Sequence, residues 1–167
     1  MERFKDPAVD TSGEHAALKK ARPSWDEYFT RIAHEVATRS TCPRLAVGAV
    51  IVRDKRILTT GYNGSPSGMP HCDDVGCLIR IVDGRESCQR TLHAEQNAII
   101  QAAYHGVSVR DSILYCTHQP CLLCTKMIMN AGIEKVRYVV GYPDPLALAL
   151  ASDGGLEITQ VSGRVDS

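Results

Sequence analysis

The sequence predicts a single α/β domain, a mixed sheet of about five strands with helices on both faces. Three observations carry that prediction. Strand-like and helix-like segments alternate through the second half of the chain, the pattern of a layered sheet. Two β-branched runs in the first half, Val47–Val52 and Ile57–Tyr62, are joined at Arg53–Lys55 and read as an antiparallel hairpin, which makes the sheet mixed. A chain of 167 residues is of one-domain size and long enough to bury a core without disulfides.

The elements follow in order. Residues 1–22 read as a flexible leader, and residues 23–167 as the single folded domain. Ser24 and Glu27 form a capping-box pattern, and Trp25, Tyr28, Phe29, Ile32, Ala33, Val36 and Ala37 share one helical face, so a helix is expected over Trp25–Thr38. After the hairpin, "GYNGSPSGMPHCDD" is a Gly- and Pro-broken loop, and residues 75–90 read as irregular. "LHAEQNAIIQAAYHG" is a second helix stopped by Gly106, and "SILYCT" a short buried strand. "PCLLCTKMIMNAG" is a third helix with Pro120 at its start and Gly132 at its end. "EKVRYVVGY" is a strand, "PLALALAS" a weakly written helix, and "LEITQV" a last strand.

Composition narrows the function classes. Lysine plus arginine equals aspartate plus glutamate at 19 each, so there is no electrostatic footprint for duplex nucleic acid, and a small-molecule ligand is favoured. No run approaches the ~18 apolar residues of a membrane span, and the polar start carries no signal-peptide block. These features predict a cytoplasmic protein without membrane contact. Seven cysteines in such a protein point to metal binding or catalysis rather than disulfides.

Chemistry concentrates in "HAE" at His93–Glu95 and "PCLLC" at Pro120–Cys124. Cys121 and Cys124 lie about one helical turn apart, so both thiolates can face one point. His93, at the start of the preceding helix, adds a nitrogen. Three protein ligands leave the fourth tetrahedral position of a zinc ion for water, whose pKa zinc lowers toward ~7. Glu95 reaches the same pocket from the helix start and can carry protons. The alternatives are a structural zinc site or a chance CxxC, but a structural zinc normally fills all four positions with Cys or His, and no fourth partner stands nearby in the motif.

His-x-Glu…Pro-Cys-x-x-Cys is the zinc deaminase signature. With "RSTCPRLAVGAVIV", "GYNGSPSG", "HC…GC…C", "HAEQNAI" and "PCLLCTKMIMNAGI", the chain resembles the deoxycytidylate (dCMP) deaminases of the cytidine deaminase-like superfamily over roughly Trp25–Val161. "GYNGSPSG" is the more specific part. The resemblance implies a three-layer cytidine deaminase-like fold and hydrolytic deamination of dCMP to dUMP by a zinc-bound hydroxide, feeding thymidylate synthesis. It places His93, Cys121 and Cys124 on the catalytic zinc, Glu95 as the proton carrier and Asn63 at the sugar. The Ala94 N–H falls at the pyrimidine carbonyl and Tyr142 near the base. It also implies a homohexamer activated by dCTP and inhibited by dTTP, with Mg2+ accompanying a triphosphate effector. The loop residues Gly61, Asn63, Gly64 and Gly68 contribute to that effector site.

Four further thiols, Cys42, Cys72, Cys77 and Cys88, together with His71 offer five candidates for four positions around a second metal. Relatives with this pattern hold a structural zinc there; Cys42 and Cys72 match most directly, and His71 is the alternative ligand. The competing reading is buried free cysteines. His118 and Gln119 precede "PC" inside the expected pocket, where their carbonyls can accept from a substrate amino group and the His118 ring can reach a phosphate. Arg39 or Arg44 can bind the 5′-phosphate or an effector through guanidinium fork geometry. His34 reads as solvated, His105 as a helix C-terminal residue, Cys116 as a core thiol, and Met127 and Met129 as packing residues. The short "YPDPLALALASDGG" tail departs from the family and leaves substrate closure and effector response open. Competing functions are deamination of dCTP, of a 5-modified dCMP or of a tRNA base, and a non-catalytic role as a zinc-stabilised nucleotide sensor or competence accessory protein.

Overall fold

The computed structural model describes residues 22–82 and 84–162, so the expected leader lies almost wholly outside the described residues. Helix α1 spans Trp25–Ala37, and Ser24 Oγ accepts the Glu27 N–H at 3.1 Å as its N-cap. The Glu27 carboxylate accepts from Arg31 one turn on. Phe29, Ala33 and Ala37 are buried as the periodicity requires, while Trp25 and Tyr28 stand at the solvent edge of the stripe.

Strands β1 (Gly48–Arg53) and β2 (Arg56–Tyr62) form the expected hairpin. Asp54 and Lys55 between them both have positive φ, 51° and 60°, as a two-residue turn matched to strand twist demands. A short helix α2 (Cys72–Val75) follows, then β3 (Ile79–Val82), β4 (Arg85–Cys88), α3 (Ala94–Tyr104), β5 (Ile113–His118), α4 (Leu122–Asn130), β6 (Lys135–Val140), α5 (Pro145–Asp153) and β7 (Glu157–Gln160). The main sheet has order β2-β1-β5-β6-β7. β1 pairs antiparallel with β2 and β5, whereas β5, β6 and β7 run parallel, linked through α4 and α5.

Alternation along β1 and β5 writes the two faces. Val50, Val52 and Tyr115 pack with Phe29 and Ala33 of α1. Ala49, Ile51, Leu114 and Cys116 point the other way, into a core with Ala94, Ala98, Ile128 and Ala151 of α3, α4 and α5. The predicted three-layer α/β architecture is thus the observed one.

Residues 75–90 depart from expectation. They form the two-stranded ribbon β3–β4, separate from the main sheet. Ile79, Ile81 and Val82 of β3 are all exposed, so neither face is buried and the sequence has no alternation to display. The α4 helix begins at Leu122, with Cys121 as N-cap and Pro120 just before it. His34 is half-buried rather than solvated, and its Nε2 has no hydrogen-bond partner. Cys116 is a core thiol as expected.

Two glycines set the spacing between layers. A Cβ on Gly48 would lie 2.0 Å from Ala33 O on α1, and one on Gly61 would lie 2.3 Å from Ala94 O and 2.4 Å from Ala98 N on α3. Both helices therefore rest on the hairpin by backbone contact that any side chain would break. Gly61→Ala is expected to lower unfolding free energy by about 2–3 kcal/mol in a denaturant titration, because the obstructing atoms are backbone and cannot rotate away.

Candidate active site and metal centres

Each predicted ligand of the catalytic ion sits at a helix start. His93 is the N-cap of α3, and its N–H donates to Gln96 Oε1 at 2.8 Å, which fixes the entry into the helix. Cys121 is the N-cap of α4, and Cys124 lies one turn on. The three side chains converge: Cys121 Sγ and Cys124 Sγ lie 3.6 and 3.4 Å from His93 Nδ1. A tetrahedral zinc with Zn–S of about 2.3 Å and Zn–N of about 2.0–2.1 Å requires an S···N edge of ~3.6 Å. The triad already has that spacing, with Nδ1 as the facing nitrogen.

Electrostatics at the triad are asymmetric. The neighbouring Cys124 thiol lowers Cys121 to about 4, and the Cys121 sulfur in turn raises Cys124. The same Cys121 sulfur raises His93. Glu95 is 4% exposed, and burial pushes its carboxyl up to about 7 against the pull of His93. Ala94, Glu95 and His93 line one cleft of 870 Å³ together with Asn63, His118 and Tyr142. All the predicted substrate contacts therefore face a single cavity.

Their local partners add detail that the sequence reading missed. Asn63 Oδ1 accepts from Val47 N and its Nδ2 donates to Leu45 O, both at 2.8 Å, so the amide clamps the 45–47 wall and keeps one lone pair and one N–H for a ligand. His118 Nδ1 lies 3.0 Å from Thr117 Oγ1, which accepts from Gly48 N at 3.2 Å. Burial, then the nearby His34, lowers the His118 pKa and keeps the ring neutral. The Tyr142 ring lies under the Arg85 guanidinium at 5.8 Å, and Arg85 also donates to Pro143 O at 2.8 Å. Arg44 lines the cleft and pairs with Glu86 at 3.4 Å, whereas Arg39 is not among the lining residues.

The loop residues expected to meet an effector have structural partners of their own. Gly61 lies inside β2 against α3. Gly64 pairs with Leu92, which holds the segment entering His93. Gly68 has φ 81° and open space around it. Of the four, only Asn63 lines the cleft.

A second cluster gathers Cys72, Cys77 and Cys88, with sulfurs within 4.8 Å of one another. Cys72 Sγ and Cys88 Sγ stand 3.7 Å apart, close to the ~3.8 Å S···S edge of a tetrahedral zinc site. Cys42 and His71 do not belong to that set; His71 Nδ1 instead lies 3.1 Å from Thr41 Oγ1. Burial raises Cys72 to about 12. Burial also opposes ionisation of Cys88, yet the Arg90 N–H and the Cys72 thiol outweigh it and bring Cys88 to about 7.

Comparison with known proteins agrees with this geometry. The family model for the cytidine and deoxycytidylate deaminase zinc-binding region matches residues 23–140. ComE operon protein 2 of Bacillus subtilis is 48% identical over 141 residues, covering 84% of this chain and 72% of that protein. Deoxycytidylate deaminase of Saccharomyces cerevisiae is 39% identical over 145 residues, and the chain spans 46% of its length. The crystal structure of dCMP deaminase from the cyanophage S-TIM5, in complex with dCMP and dUMP, superposes with a TM-score of 0.71 at 34% identity, covering 84% of this chain and 98% of that one. An imidazole and two thiols at zinc-ligand spacing, on this sheet, place the chain in the cytidine and deoxycytidylate deaminase family.

Proposed function

We propose that the protein hydrolyses dCMP to dUMP and ammonia, with His93, Cys121 and Cys124 holding a catalytic zinc and Glu95 moving protons. The observation that carries the reading is the buried Glu95 carboxyl beside a three-ligand cluster at zinc spacing, in a cleft of nucleotide size. Three protein ligands suit a catalytic site, which keeps one position open. The cyanophage enzyme of like fold binds dCMP and dUMP.

When bound, zinc supplies a water made nucleophilic near neutral pH. The remaining work falls to the chain. The Ala94 N–H is the donor for the pyrimidine carbonyl, and the amide capacity left on Asn63 meets the sugar. Glu95, with a pKa of about 7, exchanges both ways at neutral pH, delivering a proton to ring N3 and then to the departing amino group. Tyr142 borders the base, and the neutral His118 borders the cleft without adding charge. Water adds at C4 and ammonia leaves, so dCMP and water give dUMP and ammonia. Arg44, which lines the cleft where Arg39 does not, is the 5′-phosphate partner once it leaves Glu86.

The second cluster fits a structural zinc held by Cys72, Cys77 and Cys88, with Cys42 as the fourth ligand the family resemblance implies, since His71 engages Thr41. The resemblance of the GYNGSPSG loop supports regulation by dCTP and dTTP, with Mg2+ on the triphosphate, and a homohexameric assembly. Seven free thiols suit a cytoplasmic setting, where dUMP feeds thymidylate synthesis. Among the described residues no helix is long and apolar enough to cross a membrane.

Ammonia release across dCMP, dCTP, CMP and 5-modified dCMP, each with and without dCTP or dTTP, tests the substrate and the regulation. The expected outcome is turnover of dCMP and a loss of about 10²–10⁴-fold in kcat for Glu95→Gln at unchanged zinc content. No ammonia from any of these nucleotides by zinc-loaded protein overturns the reading. Arg44→Ala is expected to raise KM for dCMP about tenfold or more with kcat little changed, as loss of a charged hydrogen bond does. Cys88→Ser is expected to remove one of two zinc equivalents per chain, counted by metal analysis, while a zinc count of one in the unaltered protein would limit metal binding to a single site.

A further inference from the structure

The start of α4 carries two duties. A helix start leaves four N–H groups without intrahelical partners. A side-chain cap normally takes one of them, but the N-cap here is Cys121, whose side chain makes no capping bond and faces His93 instead. Asp144 supplies the missing acceptor from 22 positions away: its Oδ2 accepts from Leu122 N at 2.9 Å. Its Oδ1 accepts from Ala147 N at 3.1 Å and caps α5. One carboxylate thus spans two helix starts. The Asp144 backbone is tied to the cleft as well, donating to Tyr142 O at 2.8 Å and accepting from Gln119 Nε2 at 3.5 Å. Tyr142, Pro143, Asp144 and Pro145 all line the cleft.

We propose that Asp144 is a positioning residue for the reaction: by joining the first turn of α4 to the start of α5 it holds Cys121 and Cys124 in register with His93 and fixes the Tyr142–Pro145 rim. This rests on the reading of that triad as the zinc site. Cys121 and Cys124 lie one turn apart on α4, so rotation or fraying of its first turn moves both sulfurs together, and Leu122, whose N–H is held, is the residue next to Cys121. The role is geometric rather than electrostatic. Its two oxygens fix the two helix starts. Asp144 also lies outside the 23–140 segment that the family model matches.

The test follows zinc release from the loaded protein to a chromophoric chelator, together with melting temperature and KM for dCMP. The variants are Asp144→Ala, Asp144→Asn, Cys124→Ser and Ser24→Ala, the last removing the remote N-cap of α1. The release phase missing in Cys124→Ser identifies the triad. Asp144→Ala is expected to speed that phase about tenfold or more, as loss of groups that orient metal ligands does, and to raise KM. Asp144→Asn keeps one of the two acceptors and should fall between. Ser24→Ala should lower the melting temperature with release unchanged. Wild-type release in both Asp144 variants, or equal acceleration in Ser24→Ala, overturns the proposal. If unaltered protein shows no phase that Cys124→Ser removes, the zinc reading of the triad itself fails, and the proposal with it.

Discussion

Helix α3 lies on strand β2 at a distance that only glycine permits. A methyl group at Gly61 would stand 2.3 Å from one α3 backbone atom and 2.4 Å from another. Polar contacts fasten the same seam: Thr59 Oγ1 donates to Ala98 O at 3.0 Å, and Asn97 Nδ2 donates to Tyr62 O at 2.7 Å. The chain then leaves β2 into Asn63, which clamps Leu45 and Val47, and Gly64, which pairs with Leu92. The result is an α3 start fixed from two sides. His93 and Glu95 inherit their positions from that seam, because both belong to the first turn of the helix it holds.

The two helix starts then divide the charge. Free N–H groups at a helix N-terminus favour negative side chains. The Cys124 thiol, and after it the His93 ring, make Cys121 a low-pKa sulfur, while burial drives Glu95 the other way, toward neutrality. In the proposed reaction, neighbouring groups pushed apart in this manner take different roles, one a ligand and the other a proton carrier. His118, kept neutral by burial, adds no competing cation. The separation arises from depth: Glu95 is fully enclosed, whereas Cys121 stands at the cleft edge where hydrogen bonds outweigh desolvation.

The β3–β4 ribbon belongs to neither layer, and a free two-stranded ribbon is marginal in water by itself. Its anchor is at the base, where Cys77 and Cys88 meet Cys72 of α2. Its far side reaches both walls of the cleft, through Glu86 to Arg44 and through Arg85 to Tyr142 and Pro143. The ribbon thus joins the thiol cluster to the cleft, which Cys88 itself lines.

The main sheet, α1, α3 and the order of strands and helices were legible because each buries one face, and burial writes a period into the residues. So was the convergence of His93, Cys121 and Cys124, since metal-binding chemistry restricts residue type and spacing within short stretches. The ribbon was illegible because it buries neither face, and His34 was misread because its environment comes from packing on other elements. "PDP" before an apolar run does announce Asp144 as a cap for α5. That its other oxygen serves α4 could not be read, because the two helices meet only when β6 lies beside β5. What the sequence determined by itself is local: periods, caps and ligand spacing, each set by residues within a few positions. What the tertiary structure decided is which distant groups share an atom, such as Asp144 with Leu122 or Asn63 with Val47, because those pairings exist only after the chain has closed its long-range contacts.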